Sequence, residues 1–217
     1  MSNAPRTFGL MIASTLALTS VAHAHPHVFV EANLEVVRND NGEFTEIRHV
    51  WRFDELFSAT ISLDYDSNGN GSMEADELKE IGSVVKKSIA EYDFYTAARQ
   101  DGKAISFYEP EEIKTYYEGT RLVMLLSLEL EKPLDPSKKP MKLSASDSSY
   151  YVAFEFAKEN VTVSGNTQGC NTDVEHPDFD ELYAENAPSL TESFFSDPSQ
   201  PVTMGDEFYS WATIQCN

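Results

Sequence analysis

Residues 66 to 77, with the sequence DSNGNGSMEADE, place oxygen ligands at the spacing of an EF-hand calcium loop. The stretch fits the pattern D-x-[DN]-x-[DN]-G followed by five residues and Glu. The predicted calcium ligands are the side chains of Asp66, Asn68 and Asn70, the backbone carbonyl of Ser72, Glu74 through a water molecule, and both carboxylate oxygens of Glu77. Hard oxygen ligands in this arrangement favour Ca2+ as the bound ion.

Only one reading frame of this loop satisfies the pattern. A loop that began at Asp64 would place Ala75 at the closing position, where a carboxylate is required. The alternative is a solvated Asx/Gly turn between two helices, but such a turn does not require a carboxylate at the position of Glu77. The chain has no second loop of this kind, which favours a structural calcium clip over a calcium sensor.

Two amphipathic segments flank the loop. Asp54 can cap a helix, and a second helix is predicted to begin near Glu74. Their apolar residues at helical spacing are Leu56, Phe57, Ile61 and Leu63 before the loop, and Leu78, Ile81, Val84, Val85 and Ile89 after it. The sequence therefore predicts an EF-hand helix-loop-helix insertion over about residues 54 to 91.

The first 24 residues have the pattern of a secretory signal peptide. Arg6 supplies a positive charge, an apolar run follows from Phe8 to Leu18, and Ala22 to Ala24 form a small-x-small cleavage site. The alternative is a membrane anchor, but this run is shorter than the roughly 20 residues of a spanning helix. We therefore expect cleavage after Ala24 and a periplasmic protein with His25 at its amino terminus.

The predicted mature chain is strongly acidic. Cleavage would leave 193 of the 217 residues and change the formal net charge from −20 to −21, since Arg6 is the one charged residue removed. Such acidity argues against nucleic acid and anionic membranes as partners. It is compatible with cation binding, and equally with a solvated acidic surface. The length suits one domain, residues 25 to 217.

A second metal site is predicted at His25-Pro26-His27. The α-amine and ring nitrogen of an amino-terminal His can chelate an ion, and in an extended chain His27 projects to the same face. Pro26 lacks the N–H that a square-planar, amide-bound copper site requires. Zn2+, Ni2+, Co2+ and Cu remain open, with His176 as the candidate third ligand. The alternative for His25 and His27 is a solvated terminus that binds no metal. The alternative for His176 is an exposed loop histidine with no ligand role.

Cys170 and Cys216 are the two cysteines of the chain. An exported protein meets an oxidising compartment, which favours a disulfide that ties the carboxyl-terminal segment to the body. Two free or metal-binding thiols are the alternative, although no close Cys/His spacing indicates a zinc site.

Alternating apolar residues predict a hairpin with Asn41-Gly42 at its turn. The register that puts the apolar residues of both strands on the same side of the hairpin pairs Leu34 with His49, Ala32 with Trp51 and Val30 with Phe53. It also places Glu35 opposite Arg48 and Glu31 opposite Arg52. His49 is therefore predicted to be a core histidine with a hydrogen-bond partner, away from the amino-terminal site.

The rest of the chain predicts short strands joined by polar turns. Gln100-Asp101-Gly102 and Glu118-Gly119 mark two further hairpins. Later strands are predicted at 141–145, 151–156, 161–164 and 208–216, with an irregular acidic tail at about 166–207. The expected fold is α+β, a mainly antiparallel, sandwich-like β body that carries the EF-hand insertion.

Several of these features occur together in one protein family. They are His-Pro-His-Val-Phe-Val after the signal peptide, Trp51 to Ser58, the calcium-type loop, Tyr95 followed by Asp101-Gly102, Tyr151 to Glu155, and the late cysteines. The mature chain thus resembles the DUF1007 family, whose members are labelled as periplasmic components of an ABC-type transport system. They are often encoded beside nickel/cobalt-type or other metal permeases. The resemblance implies a metal-transport accessory role, with an inner-membrane permease as partner, and supplies no catalytic residues.

Three functions remain open from the sequence. The first is a non-enzymatic exported protein that binds calcium and a transition metal for a permease. The second is a copper enzyme with a histidine brace at His25, which needs an accessible face on the ion. The third is a structural calcium module with no transition-metal role. No catalytic residues are predicted, and the direction of transport and the identity of the transition metal stay undetermined.

Overall fold

A computed structural model describes residues 26–149, 151–178, 181–182 and 205–217. The predicted signal peptide, His25 and residues 183–204 of the predicted acidic tail lie outside the described residues. The strands are β1 (Val28–Arg38), β2 (Phe44–Phe53), β3 (Thr96–Gln100), β4 (Lys103–Ala104), β5 (Lys114–Glu118), β6 (Arg121–Leu134), β7 (Met141–Ala145), β8 (Val152–Glu155), β9 (Val161–Gly165), β10 (Cys170–Glu175) and β11 (Trp211–Cys216). The α-helices are α1 (Glu55–Tyr65) and α2 (Ala75–Ser88), and 3-10 turns cover Ala90–Tyr95, Lys158–Asn160 and Asp206–Phe208.

The first sheet has the strand order β5-β6-β2-β1-β8, and β9 also pairs with β1. The predicted β1–β2 hairpin is confirmed in its register, because Leu34 pairs with His49 and Ala32 with Trp51. The alternation of apolar and polar residues fixes this register, since a slip of one residue would turn the apolar side chains to the outer face. The antiparallel β5–β6 hairpin is also confirmed.

The other edge of β1 pairs with two successive parallel strands. Val28 pairs with Val152 of β8, and Leu34 pairs with Val161 of β9. Between these pairings the chain leaves the sheet, and the Asn160 side chain donates to Oδ1 of Asn33 at 2.8 Å. The sequence predicted strands here but not their parallel pairing with β1, because hairpin signals specify only neighbours in sequence.

The second sheet has the order β10-β11-β7-β3-β4. Strand β10 lies inside the segment that was predicted to be an irregular tail, and its residues alternate between half-buried and exposed. Cys170 pairs with Cys216 across β10 and β11, and the predicted disulfide joins them. The mostly antiparallel sheets with a few short helices confirm the α+β class.

The inner faces of the two sheets form one apolar core. Its largest fully buried side chains include Trp51, Phe44, Leu34 and His49. His49 Nε2 lies 3.1 Å from Oγ1 of Thr96, and that hydroxyl donates to the Phe94 carbonyl at 3.0 Å. Thr96 is therefore the hydrogen-bond partner that a core histidine needs. Burial lowers the pKa of His49 to about 3, so the predicted core histidine is confirmed.

Helix α1 packs on β6, and helix α2 packs on β5. Ser58 of α1 is buried and accepts the N–H of Leu122 at 2.9 Å, which fixes the helix to the sheet. Leu56 and Leu63 do not join the core as their spacing predicted, because their side chains are 80% and 82% exposed. Within the described ranges, neither α-helix has the length and hydropathy of a membrane-spanning helix.

Candidate functional site

The segment between α1 and α2, together with the first turn of α2, contains the predicted calcium ligands. The Asp54 carboxylate accepts the Phe57 N–H at 2.8 Å, as an N-cap should, so α1 begins where the sequence predicted. Helix α2 begins after Glu74, whose N–H donates to the Glu77 carboxylate at 3.0 Å. These caps fix both ends of the loop relative to the first sheet.

The first half of the loop folds around the Asp66 carboxylate. Its Oδ1 accepts the Asn70 N–H at 3.1 Å, and its Oδ2 accepts the Gly71 N–H at 2.7 Å. The side-chain oxygens of Asn68 and Asn70 accept N–H groups two residues further on, from Asn70 and Ser72. Gly71 has a φ of 77°, which glycine adopts without a steric cost. Each of these oxygens retains a lone pair for a cation.

Glu77 closes the loop from the first turn of α2. Its side chain is 4% exposed, and its carboxylate accepts N–H groups from Glu74 at 3.0 Å and Ser67 at 2.9 Å. The hydrogen bonds from Glu74, followed by those from Ser67, lower the pKa of Glu77 to about 2. Glu77 is therefore a buried, ionised carboxylate held at the end of the loop, as the closing ligand of a calcium loop must be.

Glu74 contacts the amide side chains of the loop. Its Oε1 accepts from the Asn70 amide and its Oε2 from the Asn68 amide at 3.0 Å. In the described part of the chain, no three His, Cys, Asp or Glu side chains converge closely enough to hold a metal ion by themselves. The three carboxylates of the predicted calcium set, Asp66, Glu74 and Glu77, therefore do not converge on one point, and Asn side chains and a backbone carbonyl make up the other half of the set. Such oxygens fit Ca2+ and do not fit a soft transition metal.

A cavity of about 820 Å3 lies near the start of β1, beside the gap between β8 and β9 where the chain leaves the first sheet. The ends of β7 and β10 and the turn before β11 form its opposite wall; we call it the inter-sheet cavity. Its described lining includes Pro26, Phe29, Glu31, Asn33, Arg52, Ser146, Asp147, Phe154, Glu155, Phe156, Asn160, His176, Phe208, Tyr209 and Ser210. It combines aromatic rings with carboxylates, and the sequence did not predict it because its walls come from distant segments.

Of the predicted transition-metal ligands, His176 is in the described lining of this cavity and His27 is not. Pro26, which follows His25, and His176 line the same cavity. Nδ1 of His176 lies 3.0 Å from Oγ of Ser210, which orients the ring and leaves Nε2 for a ligand. The His27 ring packs on Tyr151, with centroids 5.0 Å apart, and the His27 N–H donates to the Tyr151 carbonyl. The placement of His25 lies outside the described residues.

Asp147 is the buried carboxylate of the cavity wall, with 4% of its surface exposed. Its Oδ1 accepts from the N–H and hydroxyl of Ser149, and its Oδ2 accepts the Val152 N–H at 3.0 Å. Burial raises the pKa of the nearby Tyr95 phenol, and the negative charge of Asp147 adds to this effect. The Asp-x-Ser pattern is the sequence signal of such a turn, but nothing local to it indicates a cavity.

The fold and these sites define a class of two-sheet, mostly antiparallel β proteins that carry a helix-loop-helix segment between β2 and β3. The profile of the family described as "Protein of unknown function (DUF1007)" matches residues 10–216. The chain belongs to the DUF1007 family, as the sequence features indicated. It is also similar to a Haemophilus influenzae protein described as "Uncharacterized protein", with 24% identity over 213 residues that cover 97% of this chain and 99% of the relative.

Proposed function

We propose that this protein is an exported calcium-binding accessory protein of a metal-ion transport system, in which Ca2+ binds the 66–77 loop as an EF-hand. The observation that carries the calcium assignment is the buried Glu77 carboxylate, which faces the Asp66 turn at the position that closes such a loop. Bound calcium would neutralise the carboxylates of the loop. The loop joins α1 and α2, which pack on β6 and β5 of the first sheet, and this supports a structural role for the ion.

Glu77→Gln is expected to weaken Ca2+ binding at least 100-fold, because it removes the bidentate closing ligand. At a free Ca2+ concentration 100 times the Kd, binding stabilises the native protein by about 2.7 kcal/mol. For a domain of this size that corresponds to a rise of roughly 5–10 °C in Tm. Calcium titration calorimetry and thermal melts measure both effects.

The matched control for this experiment is Glu80→Gln, which removes a carboxylate of the same type from an exposed position of α2. The control should retain the affinity and the calcium-dependent rise in Tm of the wild type. An equal rise in Tm for wild type and Glu77→Gln would refute the calcium assignment.

We further propose that a transition metal, Zn2+, Ni2+, Co2+ or Cu, binds the mature amino terminus at His25 and His27, with His176 as the third residue. What supports this is the position of Pro26 and His176 on one cavity and the Ser210 hydroxyl that orients His176. Export through the signal peptide and delivery to a permease follow from the leader pattern and from the resemblance to transport components. A histidine-brace enzyme is the alternative that the aromatic lining of the cavity favours.

Transition-metal affinity is expected to depend on a free amine at His25. Four proteins are compared with Zn2+, Ni2+ and Cu2+ by titration calorimetry in saturating Ca2+. They are the chain that begins at His25, the same chain with one extra amino-terminal residue, His27→Ala and His176→Ala. Each change should reduce the affinity at least 10-fold, since each removes one nitrogen ligand. Equal affinity in all four would exclude these histidines as the site and leave the calcium assignment untouched.

A further inference from the structure

Two of the three Asn-Gly pairs of the chain lie in the 66–77 loop. The pairs are Asn41-Gly42, Asn68-Gly69 and Asn70-Gly71, and all three asparagines are exposed. The main-chain nitrogen of the next residue can attack an asparagine side chain, and glycine permits this best because it has no Cβ and its backbone rotates most freely. Each pair is therefore a candidate for covalent modification in water.

The hydrogen bonds of the glycine N–H groups differ among the three pairs. The Gly71 N–H donates to the Asp66 carboxylate at 2.7 Å. The Gly42 N–H donates to the Asn39 carbonyl at 3.0 Å, and the Gly69 N–H has the longest bond, 3.3 Å to the Asp66 carbonyl. A short bond to a charged acceptor is strong, so it opposes both loss of the proton and movement of the nitrogen. The Gly69 nitrogen is thus the least restrained nucleophile of the three.

The side-chain amides of the loop follow the same order. Oδ1 of Asn70 accepts the Ser72 N–H at 2.7 Å, and its amide donates to Glu74 at 2.5 Å. Oδ1 of Asn68 accepts the Asn70 N–H at 3.0 Å. The Asn68 amide donates to Glu74 at 3.0 Å and to Glu77 at 3.4 Å. The longer bonds hold Asn68 less firmly, so its side chain can turn more readily toward the attacking nitrogen.

We propose that Asn68-Gly69 is a site of spontaneous deamidation, and that the folded loop selects it over Asn70-Gly71. The Gly69 nitrogen forms a bond to Cγ of Asn68, and the bond from Cγ to Nδ2 breaks. The proton of the Gly69 N–H leaves with Nδ2 as ammonia. Water then opens the five-membered imide to an aspartate or an isoaspartate. Water is the one co-reactant, and nothing is oxidised or reduced.

Deamidation would change the electrostatics of the loop. It replaces an amide that donates to Glu74 at 3.0 Å with a carboxylate, which repels that residue when no ion is present. The new carboxylate is a better calcium ligand than the amide, because the number of charged ligands tunes the affinity of such loops. This consequence rests on the proposed calcium function, whereas the modification itself does not.

Peptide mass spectrometry follows the gain of one mass unit at each asparagine of the chain that begins at His25, in mildly alkaline buffer with a calcium chelator. The same chain unfolded in urea gives the intrinsic rate of each pair. Relative to these intrinsic rates, we expect Asn68 of the folded protein to react about 3-fold or more faster than Asn70. The proposal is overturned by equal relative rates, or by an unmodified Asn68 after a period many times longer than the unfolded chain needs.

Two matched variants test the mechanism in the chelator. Gly69→Ala and Gly71→Ala each add a Cβ that meets no atom within 4 Å. Both glycines have a positive φ, 68° and 77°, so the backbone strain of the two variants is similar. Gly69→Ala should slow the reaction at Asn68 about 5-fold or more and affect Asn70 less, and Gly71→Ala should do the reverse. An unchanged rate at Asn68 in Gly69→Ala would refute attack by the Gly69 nitrogen.

Calcium separates the modification from its consequence. A bound ion would hold Oδ1 of Asn68 and should slow the reaction there about 5-fold or more, while Asn41 keeps its rate. Asn68→Asp should bind calcium about 3-fold or more tightly than wild type and melt at a lower temperature in the chelator, whereas Asn41→Asp should do neither. Calcium binding without these effects would refute the consequence. Absence of calcium binding would refute the calcium function, while the rates in the chelator still decide the deamidation site.

Discussion

Loss of the Cys170–Cys216 disulfide is expected to lower the free energy of unfolding by about 4 kcal/mol. The bond joins residues 46 positions apart, and the chain-entropy estimate for a loop of that length gives about this value. The bond also keeps β10 beside β11, where Arg38 donates to the carbonyls of Asn166 and Gln168 and contacts Sγ of Cys170. Urea unfolding with and without a reducing agent measures the difference.

The control is the double variant Cys170→Ala/Cys216→Ala, whose urea midpoint should not respond to the reducing agent. Intact-mass analysis after alkylation should find two reactive thiols in the wild type only after reduction. An unchanged midpoint of the wild type on full reduction would contradict the expected contribution.

Gly82→Ala is expected to destabilise the protein by about 3 kcal/mol or more, although alanine favours an exposed helix by roughly 0.5–1 kcal/mol over glycine. A Cβ atom at Gly82 would lie 2.1 Å from the backbone carbonyl oxygen of Ile113. The helix would have to move away from β5 and lose the bond from the Thr115 hydroxyl to the Leu78 carbonyl. Urea unfolding of the purified variant provides the measurement.

Ser83→Ala is the matched control, since Ser83 is the next residue of α2 and is exposed. It should change stability by less than about 0.5 kcal/mol. A Gly82→Ala variant that unfolds at the urea concentration of the wild type, or above it, would show that α2 does not depend on this close approach.

Local sequence signals predicted the parts of the fold that depend on sequence neighbours. Asn41-Gly42 and the alternation on either side determine the β1–β2 register, and His49 is buried as that register requires. Asp54 and Glu74 predicted where the two helices begin, because capping is a property of a few adjacent residues. The spacing of oxygen-bearing side chains from Asp66 to Glu77, on which the proposed calcium site rests, is likewise a property of one short stretch.

The remaining features depend on residues far apart in the chain. The parallel pairing of β1 with β8 and β9 has no turn signal, and the inter-sheet cavity joins the start of β1 to segments near Asp147 and His176. The alternation of β10 is weak because its apolar residues are few, so composition predicted an irregular tail instead. Leu56 and Leu63 had helical spacing but are exposed. Helical spacing shows that residues share one face of a helix, but it does not show whether another element of the fold covers that face.

The central position of β1 determines when the protein can fold. This strand is the first of the described strands, yet one of its edges is covered by strands that end only at Gly165. Contacts between such distant residues must overcome a large loss of chain entropy before they contribute stability, which makes folding slow. A chain that leaves its site of synthesis amino terminus first would therefore stay unfolded through most of its length. Slow closure of the first sheet would suit the export that we propose, since a chain that crosses a membrane in extended form must not fold beforehand.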